Sequence, residues 1–595
     1  MSTSAPFDPD TLRARYRAER DRRIRPDGNA QYQRTLGEFG YYADDPYTDP
    51  VEREPLTDRV EVAVIGGGFG GLLTGARLRQ AGVEDIRVIE EAGDVGGTWY
   101  WNRYPGVHCD IESYIYLPLL EEVGTVPSMR YAPGEEIRRH AMAIARQFDL
   151  YRDACFQTRV TSMRWDEDAA EWTLETNRGD RMRARYVVMS SGTLTQPKLP
   201  GIPGIETFRG HTFHTSRWDY GYTGGDQDGG LRGLAGRRVG VVGTGATGIQ
   251  VIPHLGRDAG QLYVFQRTPS SVDVRANRPT DPEWAASLTP GWQRRRMENF
   301  LTIVTGGHAD EDLIGDGWTS TARLQRQMMT GSSDTELSLS ERERLDELAD
   351  FAKMNELRAR VDEVVHDPAT AELLKPWYRY MCKRPAFSDL YLQTFNRPNV
   401  TLVDTADHGG IERMTETSVV VGDHEYEVDC VIFATGFEVG VSGVVSGRLP
   451  VHGRGGQTLL ESWSKGPRTL HGFYSHGFPN LFHLGSLQNA ASVNFVHVLQ
   501  EQATHIGELV GAARDRKARW IEPSAQAEAD WVATIREVAP DNYRFQAECT
   551  PGYYNNEGRP RPVSNSYGPG PVAFHALLRQ WRASGGMDDV LVDAE

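Results

Sequence analysis

Cysteine is scarce in this chain and never closely paired. Cys109, Cys155, Cys382, Cys430 and Cys549 are the five among 595 residues, odd in number and without a C-x-x-C spacing. The pattern gives no support to a redox-active dithiol or a zinc clip, and it predicts reduced thiols and no metal. Basic charge is also short: 65 Lys and Arg stand against 82 Asp and Glu, a net charge of -17. A nucleic-acid backbone or an anionic membrane is therefore a poor main partner. No apolar run reaches the roughly 18 residues that span a bilayer. The opening MSTSAPFDPD has no basic-then-apolar leader. These absences lead to the expectation of a cytosolic protein. What is present is ordinary globular composition, 39% hydrophobic and 25% charged, in a chain too long for one core.

Residues 1–58 read as a polar N-terminal extension. Asp8 and Pro9 look like an N-cap and first-turn proline, and LRARYRAERDRRIR continues as an arginine-rich helix. Glu19 and Asp21 interleave the basic residues, so this helix is expected to lie on the body with a solvated outer face. From Val60 the pattern changes. VEVAVIGGGFGGLLTGARLRQAG is a buried strand, a glycine turn and a helix, and IRVIEE is the next strand, which opens a βαβ unit. RRVGVVGTGATGIQVIPHLG with QLYVFQRT repeats it. Between the two, YVVMSSGTLTQPKLPGIPG ends a strand in a proline-rich linker. The stretch 279–376 reads as a helical insertion, with a capping box at Ser340 and Glu343. Leu345, Leu348, Met354, Leu357 and Val361 supply its apolar face. CVIFATGF, Cys430 to Phe437, is one more buried strand, read as the chain returning to its first domain. The expected fold is α/β with two Rossmann-like dinucleotide-binding domains. Residues 59–199 and 396–595 form the first, and 200–395 form the second.

The first turn, Gly66-Gly67-Gly68-Phe69-Gly70-Gly71, matches G-x-G-x-x-G between a strand and a helix. Gly66 permits the tight turn, Gly68 lets backbone approach a pyrophosphate, and Gly71 lets helix pack on strand. The helix N-terminus then faces the phosphate charge. A lone match in a chain with 62 glycines says little. Its place in a βαβ unit, with an acid ending the next strand at Glu90, says much more. The second turn, Gly243-Thr244-Gly245-Ala246-Thr247-Gly248, has the same context. Counting onward, 24 residues separate Gly66 from Glu90 and 24 separate Gly243 from Arg267 (90 minus 66; 267 minus 243). Equivalent positions thus carry opposite charge. An acid there hydrogen-bonds ribose hydroxyls, and an arginine suits the 2′-phosphate of NADP. The first site should hold FAD and the second NADPH, which makes the chain a flavoprotein reductase at minimum. Without a cysteine pair, dioxygen is the natural electron acceptor.

FRGHTFHTSRWD sets Phe208, Gly210, His214 and Trp218 as F-x-G-x-x-x-H-x-x-x-W-[PD]. Gly97, Trp99, Tyr104, Pro105, Gly106 and Asp110 form G-x-W-x-x-x-x-[FY]-P-G-x-x-x-D. With the two turns and ATGF, the chain resembles the type I Baeyer–Villiger monooxygenases over about residues 60 to 590. The N- and S-oxygenating flavin monooxygenases are similar but usually lack a tryptophan at the place of Trp218. A flavin-bearing NADPH oxidase without organic substrate is the other alternative.

The resemblance implies the chemistry. In the family, NADPH passes hydride to FAD, and the reduced flavin captures dioxygen as a C4a-peroxide whose anion attacks a ketone. A carbon then migrates to oxygen, giving an ester or lactone. By likeness, Arg384 of YMCKRPAFSD stabilises the peroxide, Lys383 is a second anchor for the 2′-phosphate, and Asp110 orients Arg384. His214 holds the joint between the two domains. Phe69, Gly97, Trp99, Asp110, Tyr116 and Val160 fall with Glu90 on the FAD side. Thr244 to Ile249, Arg267 and Thr268 fall on the NADP side.

Near the C-terminus, PGYYNNEG puts Tyr553 where smaller-ketone members carry a tryptophan. This stretch and the long extension resemble the subgroup acting on large cyclic ketones. Short residues in SLQNAASVNFVH, Ser486 to His497, would leave room beside the flavin for a fused ring system. The implied substrate is a cyclopentanone-bearing tricyclic sesquiterpenoid acid, oxidised to a δ-lactone in antibiotic biosynthesis.

Overall fold

Each glycine turn sits at the carboxyl end of a parallel strand in its own sheet. The computed structural model describes residues 7–330, 338–438, 449–560 and 566–593. The first sheet runs, in spatial order, Val451–His452, Val160–Asp166, Glu171–Thr176, Arg181–Met189, Arg59–Ile65 and Ile86–Ile89, with Leu481–His483 also paired to Arg181–Met189. The second is wholly parallel: Val400–Asp404, Gln261–Gln266, Arg238–Val242, Cys430–Phe433 and His211–His214. Its central strands Arg238–Val242 and Cys430–Phe433 are the most deeply covered, which is why they read as apolar runs, RVGVV and CVIF.

This order corrects the expectation that Cys430 to Phe437 returns the chain to the first domain, and with it the boundary at 396. Val400–Asp404 and Cys430–Phe433 both hydrogen-bond into the second sheet. The chain rejoins the first at Val451–His452 and Leu481–His483. A strand buried on both faces has no polar side, so its pattern marks it as central without saying which sheet it enters.

At the two turns the backbone requires glycine. Gly66 has φ +109° and Gly243 φ +106°. A Cβ there would lie 2.3 Å from the Ser190 carbonyl oxygen and 2.5 Å from that of Ala434. No L side chain fits a left-handed turn tucked under a neighbouring strand. The helices Phe69–Gln80 and Ala246–Asp258 follow directly, with Gly68 and Gly245 as their N-caps.

The extension does lie on the body. Asp8 caps the helix Pro9–Asp21, whose Leu12 and Tyr16 are buried. Tyr16 stacks edge-on against Phe351 of the helix Leu339–Val364. Further along, Tyr32–Arg34 pairs antiparallel with Lys198–Pro200. The insertion contributes the helices Pro282–Ala286, Trp292–Val304, Gly317–Thr330, Leu339–Val364 and Pro368–Leu374. Its capping box is not Ser340 with Glu343 but Ser338 with Glu341: Ser338 N–H donates to Glu341 Oε2 at 2.9 Å and Ser338 Oγ accepts from Glu341 N–H at 3.4 Å. LSLSERE offers two serines in alternate positions, each with a glutamate three residues on, and the helix begins at the first. Met354, Leu357 and Val361 are buried, while Leu345 and Leu348 are half-buried.

The thiol expectation is also corrected. Cys382 and Cys549 form a disulfide across 167 residues of sequence, and Cys109, Cys155 and Cys430 are buried and free. Short spacing rules find clips made within one loop, whereas this bond joins two loops that only the tertiary fold brings together. Among the described residues, no helix is long and apolar enough to cross a membrane.

Candidate active site

A single cavity of about 1800 Å³ reaches both glycine turns. Small-ligand pockets typically measure roughly 300–1,000 Å³, so this one has room for more than one ligand. On its first side, Gly66, Gly68, Phe69 and Glu90 line the wall. Glu90 is held by two backbone donors, Gly67 N–H at 2.5 Å and Ala92 N–H at 2.8 Å, and burial pushes its carboxyl upward. Gly97 comes so close that a Cβ on it would lie 2.8 Å from the Gly68 Cα. Trp99 Nε1 donates to the Tyr116 hydroxyl at 3.0 Å, and Tyr116 meets both Trp99 and Phe69 edge-on. Val160 completes this wall. Gly71 does not face the cavity. A Cβ there would fall 1.9 Å from the Gly66 carbonyl oxygen, so it serves the close contact of helix and strand.

On the second side, Gly243, Thr244, Gly245, Ala246 and Thr247 line the wall with Arg267, Thr268 and Lys383. A Cβ on Gly245 would meet nothing within 4 Å, so the turn is open where a pyrophosphate needs space. Thr244 Oγ1 donates to the Thr268 carbonyl at 3.1 Å, tying the turn to the next strand end. Gly248 and Ile249 are packing positions: Gly248 lies against the Gly243 carbonyl and Ile249 is buried in the core. Arg267 Nη1 donates to Gln31 Oε1 at 2.7 Å and Nη2 to Glu557 Oε2 at 3.0 Å. Burial opposes its charge, but Tyr32 and Glu557 more than offset that and raise its pKa. Lys383 Nζ donates to the Thr268 carbonyl at 3.4 Å. Burial, Arg267 and Arg23 bring its ammonium down to about 7.

Between the sides stands Arg384. Its Nε and Nη2 donate to Asp110 Oδ2 and Oδ1 at 2.8 and 2.7 Å, a two-point fork on one carboxylate. Burial works against this guanidinium, yet the pair with Asp110 carries it above its ordinary value. It remains charged at any working pH. Trp318, from the insertion, donates Nε1 to the Asp110 carbonyl at 3.0 Å and lies 5.2 Å under Arg384. Nothing in the sequence marked Trp318.

His214 is buried at the end of His211–His214. Its Nδ1 accepts from Ser216 N–H at 3.2 Å, and its ring meets Phe437 edge-on. Burial and Arg217 lower its pKa to about 3. These contacts lie beside the second sheet, so the geometry does not place His214 itself across the joint. Arg217, an unassigned position of the same motif, makes that reach. It donates to the carbonyls of Ala43 and Asp44 at 3.2 and 3.1 Å and lies 3.7 Å over Trp101. Trp218 N–H donates to the Tyr47 hydroxyl at 2.9 Å. Gln31, Tyr32, Lys198 and Glu557, which surround Arg267, were likewise not marked by any local pattern.

Two dinucleotide-type turns opening on one cavity, with the Arg384 guanidinium in its wall, are the arrangement a flavoprotein oxygenase needs. Residues 64–123 match the NAD(P)-binding Rossmann-like domain family. The chain is 61% identical over 583 residues to a Baeyer–Villiger monooxygenase of Streptomyces coelicolor, covering 98% of this chain and 96% of that one. It is 54% identical to a pentalenolactone D synthase of Streptomyces arenae, over 98% of this chain and 99% of that one. A polycyclic ketone monooxygenase from Thermothelomyces thermophila superposes with a TM-score of 0.89 at 39% identity, over 98% of both chains. The chain belongs to the Baeyer–Villiger monooxygenases. It is an FAD- and NADPH-dependent enzyme of that family.

Proposed function

We propose that this enzyme inserts one oxygen atom of O2 beside the carbonyl of a polycyclic cyclopentanone, a tricyclic sesquiterpenoid acid of the 1-deoxy-11-oxopentalenate type. The product is the δ-lactone pentalenolactone D or its neo isomer. The observation that carries the reading of the site is Arg384, charged and clamped by Asp110 in the wall shared by both cradles. When bound, FAD and NADPH supply the reducing electrons and the activation of dioxygen. The chain's own work is to hold, orient and shield. Gly66, Gly68 and Glu90 hold the flavin's nucleotide, and Thr244, Arg267 and Lys383 the coenzyme's. Arg384 offers positive charge where an anionic oxygen must attack the ketone, in a wall where burial strengthens it. Asp110 fixes the plane of that guanidinium. His214, neutral over the working range, is a packing element of the motif that meets the first domain through Arg217.

For the substrate, the support is the relatives' named activities together with a further part of the cavity wall. Ser486, Leu487, Val493, Phe495 and Val496 line the cavity with Tyr553. Asn494 turns away to donate to the Ile115 carbonyl at 2.9 Å, and Gln488 Oε1 accepts from Thr469 N–H at 2.8 Å. Asn494 and Gln488 therefore hold loops, and the wall left by this stretch is mostly apolar, suited to fused rings. Mass spectrometry of products from a panel of cyclic ketones, with NADPH and labelled dioxygen, tests both levels. One labelled oxygen in the ring of a lactone is expected, with kcat/KM favouring polycyclic over monocyclic ketones. A preference for cyclohexanone would refute the substrate class, and NADPH consumption with no labelled lactone from any ketone would refute the reaction.

A further inference from the structure

We propose that Glu557 is the internal counter-ion of the coenzyme's phosphate cradle: its carboxylate neutralises Arg267 and Lys198 and competes with the 2′-phosphate of NADP(H) for them. The inference rests on the reading of Arg267 as the 2′-phosphate partner. Glu557 is buried, and its backbone is shaped to aim it inward. Asn556 and Glu557 have φ +53° and +56°, and Gly558 follows at φ +82°. Non-glycine residues hold this conformation only where surrounding contacts impose it. Here Asn555 imposes it. Its Oδ1 accepts from Gly552 and Gly558 N–H at 3.0 and 3.1 Å, and its Nδ2 donates to the carbonyls of Gln546 and Cys549 at 3.0 and 3.2 Å. The disulfide from Cys549 to Cys382 anchors the same loop beside Lys383.

The carboxylate so delivered has three partners. Arg267 Nη2 donates at 3.0 Å, the Tyr32 hydroxyl at 2.9 Å, and Lys198 Nζ lies 3.8 Å away. Lys198 also lies 3.5 Å over the Tyr32 ring. The neighbourhood is crowded with cations: Arg23, whose Nε donates to the Arg267 carbonyl, and Lys383 both act on it. Arg23 has its own carboxylate in Glu19 at 2.5 Å. Glu438 lines the same wall and acts on Lys198. Glu557 is the acid that touches Arg267. Oxygen acceptors facing a guanidinium, an ammonium and a phenol are also what a phosphate would present. A cluster of buried cations without a counter-charge is costly, so a resident anion is needed whenever the phosphate is away. NAD+, which lacks the 2′-phosphate, meets a cradle already neutralised and gains nothing from it.

The test is calorimetric binding of NADP+ and NAD+ to the purified FAD-loaded enzyme. Glu557→Gln keeps the shape and an acceptor oxygen but removes the charge. NADP+ should bind roughly tenfold tighter, the order expected when one like charge leaves a part-screened site, and NAD+ should be unchanged. Tyr32→Phe loosens the carboxylate by removing its hydroxyl donor and should shift NADP+ in the same direction by less, which keeps the question decidable if the first variant folds poorly. Weaker or unaltered NADP+ binding in these variants would overturn the proposal, because Glu557 would then serve to orient Arg267. Arg267→Ala separates the two ideas: if it keeps the preference for NADP+ over NAD+, the reading of Arg267 fails, not that of Glu557 alone.

Discussion

Replacing Arg384 with Ala should separate coenzyme oxidation from ketone oxidation. The substitution removes one permanent charge and both of its bonds to Asp110, at 2.8 and 2.7 Å. An anion about 4 Å from a cation gains roughly 4 kcal/mol at an effective dielectric constant near 20, and about 1.4 kcal/mol is tenfold. Losing the charge alone should therefore slow lactone formation by roughly a thousandfold. Asp110, left without its partner, adds repulsion against the same anionic oxygen. Hydride transfer from NADPH needs neither group, so anaerobic flavin reduction followed by stopped-flow absorbance should run near the wild-type rate. In air, NADPH should still be consumed, with hydrogen peroxide appearing in place of lactone. Arg384→Lys keeps the charge but not the two-point fork, and should fall between. A normal lactone yield per NADPH in Arg384→Ala would refute the assignment. A thousandfold loss in anaerobic reduction would refute it differently, by showing that Arg384 positions the cofactors.

Three further outcomes follow from other parts of the structure. Arg267→Ala loses charge-assisted hydrogen bonds of about 1.5–3 kcal/mol, so KM for NADPH should rise roughly ten- to hundredfold while NADH kinetics barely change; equal losses with both would refute the assignment. Lys383, brought down to about 7, is charged below that pH and neutral above it. KM for NADPH should therefore climb as pH rises through neutrality, KM for NADH should not, and Lys383→Met should flatten the difference. Unfolded, unreduced protein should titrate three thiols per chain, since Cys109, Cys155 and Cys430 are free. Cys549→Ser should lower stability by about 2–4 kcal/mol in denaturant unfolding, and five titratable thiols in the wild type would refute the disulfide.

What could be read in the sequence is what is written over contiguous residues. A strand, a turn that only glycine can make, and a helix occupy some twenty neighbouring positions, and Glu90 and Arg267 stand at equal distances past their turns because the same βαβ geometry repeats. The pairing of Arg384 with Asp110 was legible only by family likeness, since 274 residues separate them. Where contacts are made across the chain, the local text is silent. Cys430–Phe433 reads as a central strand in either sheet, and hydrogen bonds to Arg238–Val242 decide which.

The coenzyme cradle shows how far this reaches. Arg267 alone tells the ligand's charge, but its guanidinium is held by Gln31, 236 positions earlier, and by Glu557, 290 positions later. Those residues come from the extension and from PGYYNNEG, the two stretches that set this subgroup apart by sequence. They meet at the second cradle, and Tyr553 of the same loop lines the cavity. Under the proposed assignments the loop 551–558 borders both ligands at once, with Cys549 bonding its base to the residue before Lys383 and Arg384. A change in coenzyme charge at Glu557 and a change in ketone shape at Tyr553 act on the same short, pinned segment. Variation in this loop should therefore move coenzyme and substrate preferences together, a coupling that no single motif expresses.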